Sequence, residues 1–412
     1  MSTNYKQPFC RICSSTKLHT FLDLGSMPIP NGFLTKAQLA DKEERYPLKA
    51  CVCTLCWLVQ LTHVIPAEIM FKNYVYIPST STTMLEHFEK LVQDTLLTSE
   101  VSKALVVDIG SNDGILLSYY RKKGMRILGI DPAENLAKKA NTQGIPTLAR
   151  YFTSKLAGEV VAGYSLAKII TATNVIAHID DLHDAIDGIQ VLLHPQGLFV
   201  MEAPYVVDLI DNNEFDTIYH EHLSYFAIHP LQRLFGNHSL RIVDVIKQSV
   251  HGGTIRVYVS HINSNHTVHP RVEKFLIEEK VKQFHTLTPY NQFAVRVQNM
   301  KKDLTLLLKR IKKEGKSIVG YGASAKGNVL ENYCSITPDI LDYIVDATSY
   351  KQGKYTPGTH IRIFPEDKIL KKSPDYALLT SWNFAGEILQ KNKKYREGGG
   401  QFIIPVPYLR IV

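Results

Sequence analysis

Val106-Val-Asp-Ile-Gly-Ser-Asn-Asp-Gly114 runs from β-branched apolar residues through a carboxylate into a Gly-x-x-x-Gly turn, and the amphipathic stretch 115–123 follows. Strand, glycine turn and helix in that order open a doubly wound α/β unit, whose ligands bind beyond the carboxyl ends of the strands. Gly110 permits the tight turn, and Gly114 lets the backbone approach a ligand at the helix N-terminus. Phosphate does not suit this turn, because Asp108 and Asp113 would repel it. An ammonium or a sulfonium fits the two carboxylates better. Asp131 ends the next strand, where a carboxylate can accept hydrogen bonds from both hydroxyls of a ribose. The Gly-x-Gly-x-x-Gly of a nicotinamide site is missing.

Working outward, strands are predicted at 104–109, 126–130, 168–173 and 197–202, separated by helical stretches, as in an open parallel sheet. Two later runs, 240–246 and 254–260, lie too close together for a crossover helix and read as an antiparallel pair at the sheet edge. The stretch 272–314 reads as helix, with Leu304, Leu307, Leu308 and Ile311 at helical spacing. The lysines around that stripe read as a solvated face rather than a nucleic-acid surface. A second alternating unit then begins, with strands at 317–321, 341–345 and 376–380. The expected organisation is an N-terminal module over 1–66, a doubly wound α/β domain over 67–265 and a second α/β unit over 266–412.

Five of the six cysteines, Cys10, Cys13, Cys51, Cys53 and Cys56, lie in the N-terminal module. Cys10-x-x-Cys13 and Cys53-x-x-Cys56 are two knuckles that together offer four thiolates to one tetrahedral metal. That closed site predicts structural zinc, with Cys51 as an alternative to Cys53. Cys334 reads as buried packing. The whole chain of 412 residues carries 47 Lys+Arg against 39 Asp+Glu, a net charge of +8, with 45% hydrophobic residues. No stretch approaches the roughly 20 apolar residues of a membrane helix. Met1-Ser-Thr-Asn-Tyr-Lys6 has no apolar signal core, so a cytoplasmic protein with no membrane or nucleic-acid partner is expected, and a monomer is favoured.

Tyr219-His-Glu-His-Leu-Ser-Tyr-Phe226 concentrates proton-transfer groups beyond the strand end at 202. A metal reading is weak, since His220 and His222 splay apart on a helix and His-Glu-x-x-His is not present. As proton chemistry the cluster makes more sense: a neutral imidazole accepts a proton near neutral pH, and methylating carbon, unlike oxygen or nitrogen, requires a base and an oxyanion partner.

The acidic-x-Gly-x-x-x-Gly turn, the second-strand acid and the paired terminal strands resemble the S-adenosylmethionine-dependent methyltransferases. More narrowly, the chain resembles the three-domain sugar C-methyltransferases, which methylate C-3 of nucleotide-linked 4-keto-deoxyhexoses. The matching stretches include Cys10-Arg-Ile-Cys13, Leu22-Asp-Leu-Gly25 with 28–31, Cys53-Thr-Leu-Cys56, Asn174-Val-Ile-Ala-His178 and Asn213-Glu-Phe-Asp-Thr-Ile-Tyr-His-Glu-His222. Further along come His251-Gly-Gly253, Gly320-Tyr-Gly-Ala-Ser-Ala-Lys-Gly327 and Trp382-Asn-Phe384.

The resemblance implies a zinc domain, a class I methyltransferase-like donor domain and a C-terminal Rossmann-like domain, with the sugar nucleotide between the last two. It implies donor binding by Asp108, Gly110, Asn112, Gly114, Asp131 and Asn174. His222 would be the base that removes the C-3 proton, supported by Tyr219 and Glu221, while His178 and Tyr76, or Tyr74 in its place, would line the pocket and hold the enolate. Gly322 and Lys326 would contact the nucleotide sugar, with thymidine the expected base. Trp57 and Ser324 depart from the family pattern, which usually has Gly and Pro there. RNA methylation and a sugar-nucleotide sensor without turnover are the competing readings.

Overall fold

The computed structural model describes residues 6–71, 79, 82–97, 103–248 and 250–412. The described residues form three sheets. In the first, β1 (Leu18–Met27), β2 (Tyr46–Cys53) and β3 (Val59–Leu61) are antiparallel neighbours, and both knuckles sit at its end.

The second sheet holds β4 (Leu105–Ile109), β5 (Arg126–Ile130), β6 (Thr147–Leu148), β7 (Ala167–Thr173), β8 (Leu193–Pro204), β10 (Leu240–Gln248) and β11 (Thr254–His261). Their order is β10-β11-β8-β7-β4-β5-β6. The inner pairings are parallel, and β11 lies antiparallel between β8 and β10, as the short gap between those two runs required. β4 is buried along its whole length, because helices cover both faces of a parallel sheet. The connection between β8 and β10 departs from sheet order. Its short strand β9 (Ser224–Tyr225) leaves for the first sheet and pairs with β3.

The third sheet has the order β14-β13-β12-β15-β16-β17, from β12 (Ile318–Tyr321), β13 (Ile344–Val345), β14 (Ile363–Phe364), β15 (Tyr376–Leu379), β16 (Gln401–Ile404) and β17 (Arg410–Ile411). Only β17 runs antiparallel to its neighbour among these pairings.

One expected helix is two. Arg271–Val281 and Thr288–Lys313 are separated by a turn in which Gln283 has φ +60°, and a proline stands in the first turn of the second helix. Proline suits a helix start, where its missing N–H costs nothing. Leu304, Leu308 and Ile311 are buried as the spacing foretold, and Leu307 packs partly against the core.

The helix Thr82–Leu97 is fastened to the middle sheet by a buried ionic network. Arg256 on β11 donates to Glu202 Oε1 at 2.7 Å and to Asp94 Oδ2 at 2.9 Å, while His87 Nε2 lies 2.7 Å from Glu202 Oε2. Buried charge is tolerable only when paired in this way. Among the described residues no helix is long and apolar enough to cross a membrane.

Candidate active site

The donor turn is shaped by close approach. Gly110 has φ +69°, and a Cβ there would stand 2.2 Å from Val175 Cγ2. Its N–H donates to Ile130 O at 2.7 Å, which ties the turn to the end of β5. Asp131 is clamped by two backbone amides: Asn112 N donates to Oδ2 and Ala133 N to Oδ1, each at 2.8 Å. The carboxylate is thus aimed before any ligand arrives. Asn112 and Asn174 take positive φ, +51° and +57°, a conformation asparagine tolerates better than most residues.

Asp108 accepts from Thr171 Oγ1 at 2.6 Å, and burial pushes its carboxyl up to about 7. The neighbouring charge that acts on it is Asp131, which raises it further. Asp113, expected to share the cationic ligand, is instead taken up by Ser79 Oγ at 2.5 Å and Lys139 Nζ at 3.1 Å. Lys139 thus already pairs with Asp113, which leaves Asp108 and Asp131 as the carboxyls at the strand ends without a lysine ion pair among the described residues.

Three of the expected proton-transfer residues come together beyond β7 and β8. The His222 and His178 rings meet edge to face with centroids 5.0 Å apart, and the Tyr219 ring lies 4.0 Å from that of His222. His222 Nδ1 is 2.9 Å from Thr217 O. A carbonyl only accepts, so Nδ1 carries the proton and the lone pair of the neutral ring sits on Nε2. Burial pushes His178 down to about 4, which keeps it neutral near pH 7. Glu221 accepts from Asn31 Nδ2 at 2.6 Å, so the N-terminal module reaches this site directly, through the segment between β1 and β2. His220 turns away: its Nε2 donates to Tyr46 O at 3.2 Å, and burial pushes it down to about 4. Tyr74 and Tyr76 lie outside the described residues.

The Sγ atoms of Cys10, Cys13, Cys53 and Cys56 all lie within 4.8 Å of one another. Cys51 is not among them. It donates to Gln60 O, so the group of four sulfurs includes Cys53 and not Cys51. Four sulfurs at that spacing fit a tetrahedral zinc.

Three family profiles cover the chain in order: a putative zinc binding domain over 10–71, a methyltransferase domain over 84–245 and a C-methyltransferase C-terminal domain over 249–407. The C-methyltransferase NovU of Streptomyces niveus is 37% identical over 404 residues, covering 98% of this chain and 96% of that protein. The chain belongs to the C-methyltransferase family. It is an S-adenosylmethionine-dependent methyltransferase. Among solved structures, the magnesium protoporphyrin IX methyltransferase ChlM from Synechocystis PCC 6803 matches with TM-score 0.35 and 11% identity, over 46% of this chain and 86% of that one. An S-adenosylmethionine-dependent methyltransferase from Clostridium acetobutylicum ATCC 824 matches with TM-score 0.36 and 15% identity, over 43% and 92%.

The donor site fits S-adenosylmethionine on its own chemistry, since the buried Asp108 carboxyl, which the nearby Asp131 carboxylate pushes further up, is relieved by a cation. In this C-methyltransferase the second glycine turn repeats the geometry of the first. Gly322 has φ +95°, and a Cβ there would stand 2.2 Å from Ser381 Oγ. Asp346 is clamped as Asp131 is, by Ala323 N on Oδ2 and Thr348 N on Oδ1, both at 2.7 Å. Ser324, the departure from proline, caps the following helix by accepting from Gly327 N at 3.0 Å. Lys326 lies with its Nζ 4.6 Å from the centre of the Trp382 ring; burial pushes the carboxyls of Glu214 and Asp216 up to about 8 and about 6, and the Lys326 charge opposes that rise.

Sequence reading named none of Asn31, Asp216 or Trp382 as a site residue. Each stands in a quoted matching stretch, yet nothing in local spacing joins Trp382 to Asp216, 166 positions away.

Proposed function

We propose that this enzyme methylates C-3 of a nucleotide-linked 4-keto-6-deoxyhexose, carried on dTDP. The observation that supports this best is the tautomer of His222. Thr217 O holds the Nδ1 proton, so Nε2 is the basic nitrogen. An oxygen or nitrogen acceptor would need little more than placement, whereas a carbon acceptor needs such a base. The C-methyltransferase NovU, similar along the whole chain, favours carbon as well.

On this reading the C-4 ketone acidifies the neighbouring C–H. His222 Nε2 takes that proton, the C–H electron pair passes toward the C-4 oxygen, and the ring becomes imidazolium. Tyr219 and neutral His178 stand close enough to steady the charge, and Glu221, held by Asn31, supports the cationic ring. S-adenosylmethionine supplies, when bound, the electrophilic methyl of a sulfonium. Asp108, Gly110, Asn112, Gly114, Asp131 and Asn174 would hold it. Gly322 and Lys326 would contact the nucleotide diphosphate, and the four cysteines would hold zinc in a structural role.

The test is mass spectrometry and NMR of a dTDP-4-keto-6-deoxyhexose incubated with the enzyme and S-adenosylmethionine. The expected product gains one methyl group on the sugar carbon C-3. A methyl at C-5, the other carbon beside the ketone, would overturn the position while keeping the chemistry. Unchanged sugar in the presence of bound donor would overturn the substrate.

A further inference from the structure

The turn 213–217 holds more buried polar atoms than partners for them. Asn213 Oδ1, Asp216 Oδ1 and Thr217 Oγ1 are buried without a hydrogen-bond partner among the described residues. Buried polar atoms are normally satisfied, and orphans cluster where a ligand or a mechanism needs them. Thr217 is also the residue whose carbonyl sets the tautomer of His222.

The third sheet reaches into this turn. Trp382 follows β15, and its Nε1–H donates to Asp216 Oδ2 at 2.7 Å in a buried contact. The indole is itself covered by the Lys326 ammonium, 4.6 Å from the ring centre. Asp216 is fully buried, which pushes its carboxyl up to about 6, while Lys326 and Trp382 oppose that rise. A Lys326–Trp382–Asp216 chain of contacts from the C-terminal unit therefore ends one residue before the carbonyl that orients His222.

We propose that Trp382 is a positioning residue for His222: by holding Asp216 it fixes the Thr217 carbonyl, so the C-terminal unit completes the proton-abstracting site as well as meeting the substrate. This rests on the reading of His222 as the base. The hydrogen bond, rather than the charge of Asp216, does the positioning. An asparagine at that position, which still accepts from an indole N–H, should serve nearly as well.

Trp382→Phe keeps the ring under Lys326 and removes only the N–H. Its kcat is expected to fall about tenfold, with KM for the sugar nucleotide and Kd for S-adenosylmethionine within about twofold of wild type. Donor-independent deuterium uptake at the substrate carbon should slow in step with kcat. Asp216→Leu should behave like Trp382→Phe, and Asp216→Asn should stay within about threefold of wild type.

Wild-type kcat and exchange in Trp382→Phe would overturn the proposal. So would Asp216→Asn falling as far as Asp216→Leu, or donor affinity declining in parallel with kcat. His222→Asn separates the two claims. If it exchanges like wild type, the base reading fails; if it is silent while Trp382→Phe is normal, only the role of Trp382 fails.

Discussion

Asp108 stands at the end of β4 with its carboxyl pushed up to about 7 by burial. A cationic donor favours the ionised form, so binding should release a proton when it begins from the neutral acid. Affinity for S-adenosylmethionine should then level off above pH 7 and fall by about tenfold per unit well below it. Calorimetry across that range checks this, and Asp108→Asn should bind more weakly with the pH dependence gone. A flat wild-type profile would place the donor's charge elsewhere. His220 and His222 show what two positions along the chain can separate. His220 is buried against Tyr46 O, so His220→Asn should lower Tm more than kcat. His222→Asn should keep the donor bound and lose about 10²–10⁴ in turnover. Residue types and order pointed to a proton-transfer cluster here, and family resemblance singled out His222. The tautomer, set by a backbone carbonyl five residues upstream, is a property of the folded turn alone.

Among local elements, the second cysteine knuckle explains one departure from the family pattern. Trp57, where glycine is usual, has φ +63°, the left-handed region, and its N–H donates to Cys53 O at 2.9 Å. That conformation costs a side-chain-bearing residue about 1–2 kcal/mol. Trp57 offsets it by stacking on Tyr290 of the long helix, with ring centroids 6.5 Å apart and planes 6° from parallel. Such pairs contribute about 0.5–1.5 kcal/mol beyond area burial. Trp57→Gly should therefore leave Tm close to wild type. Trp57→Ala, which keeps the strain and loses the stacking, should melt lower than Trp57→Gly; the reverse order would show that the backbone strain is negligible. The inner strands β4, β5, β7, β8, β12 and β15 were legible as short, largely apolar runs, whereas β6 and β14, of two residues each, and β16 were not. The break between Val281 and Thr288 was not, because the apolar spacing continues across it while a proline and a left-handed glutamine turn the chain.

Across the whole molecule, the segment that carries the histidines is held by both the N-terminal and the C-terminal units. Its β9 pairs with β3 beside the knuckles, Arg11 within the first knuckle donates to Leu223 O at 3.2 Å, and Asn31 holds Glu221. Trp382 of the C-terminal unit grips the same segment through Asp216. Zinc should thus matter to catalysis without touching substrate. Chelation should abolish methyl transfer in step with zinc loss while the far-UV signal of the middle sheet largely remains. Full activity after complete zinc removal would contradict this. Sequence pattern outlined the three units, but these long-range contacts join positions whose side chains have no local signature. The central claim, that His222 removes a proton from carbon, is tested most directly by incubating the keto sugar nucleotide with enzyme in deuterated water without donor. Deuterium should enter the carbon beside the ketone with wild-type enzyme and stay out with His222→Asn. Equal incorporation by both proteins, or none by an enzyme that methylates when donor is added, would contradict it.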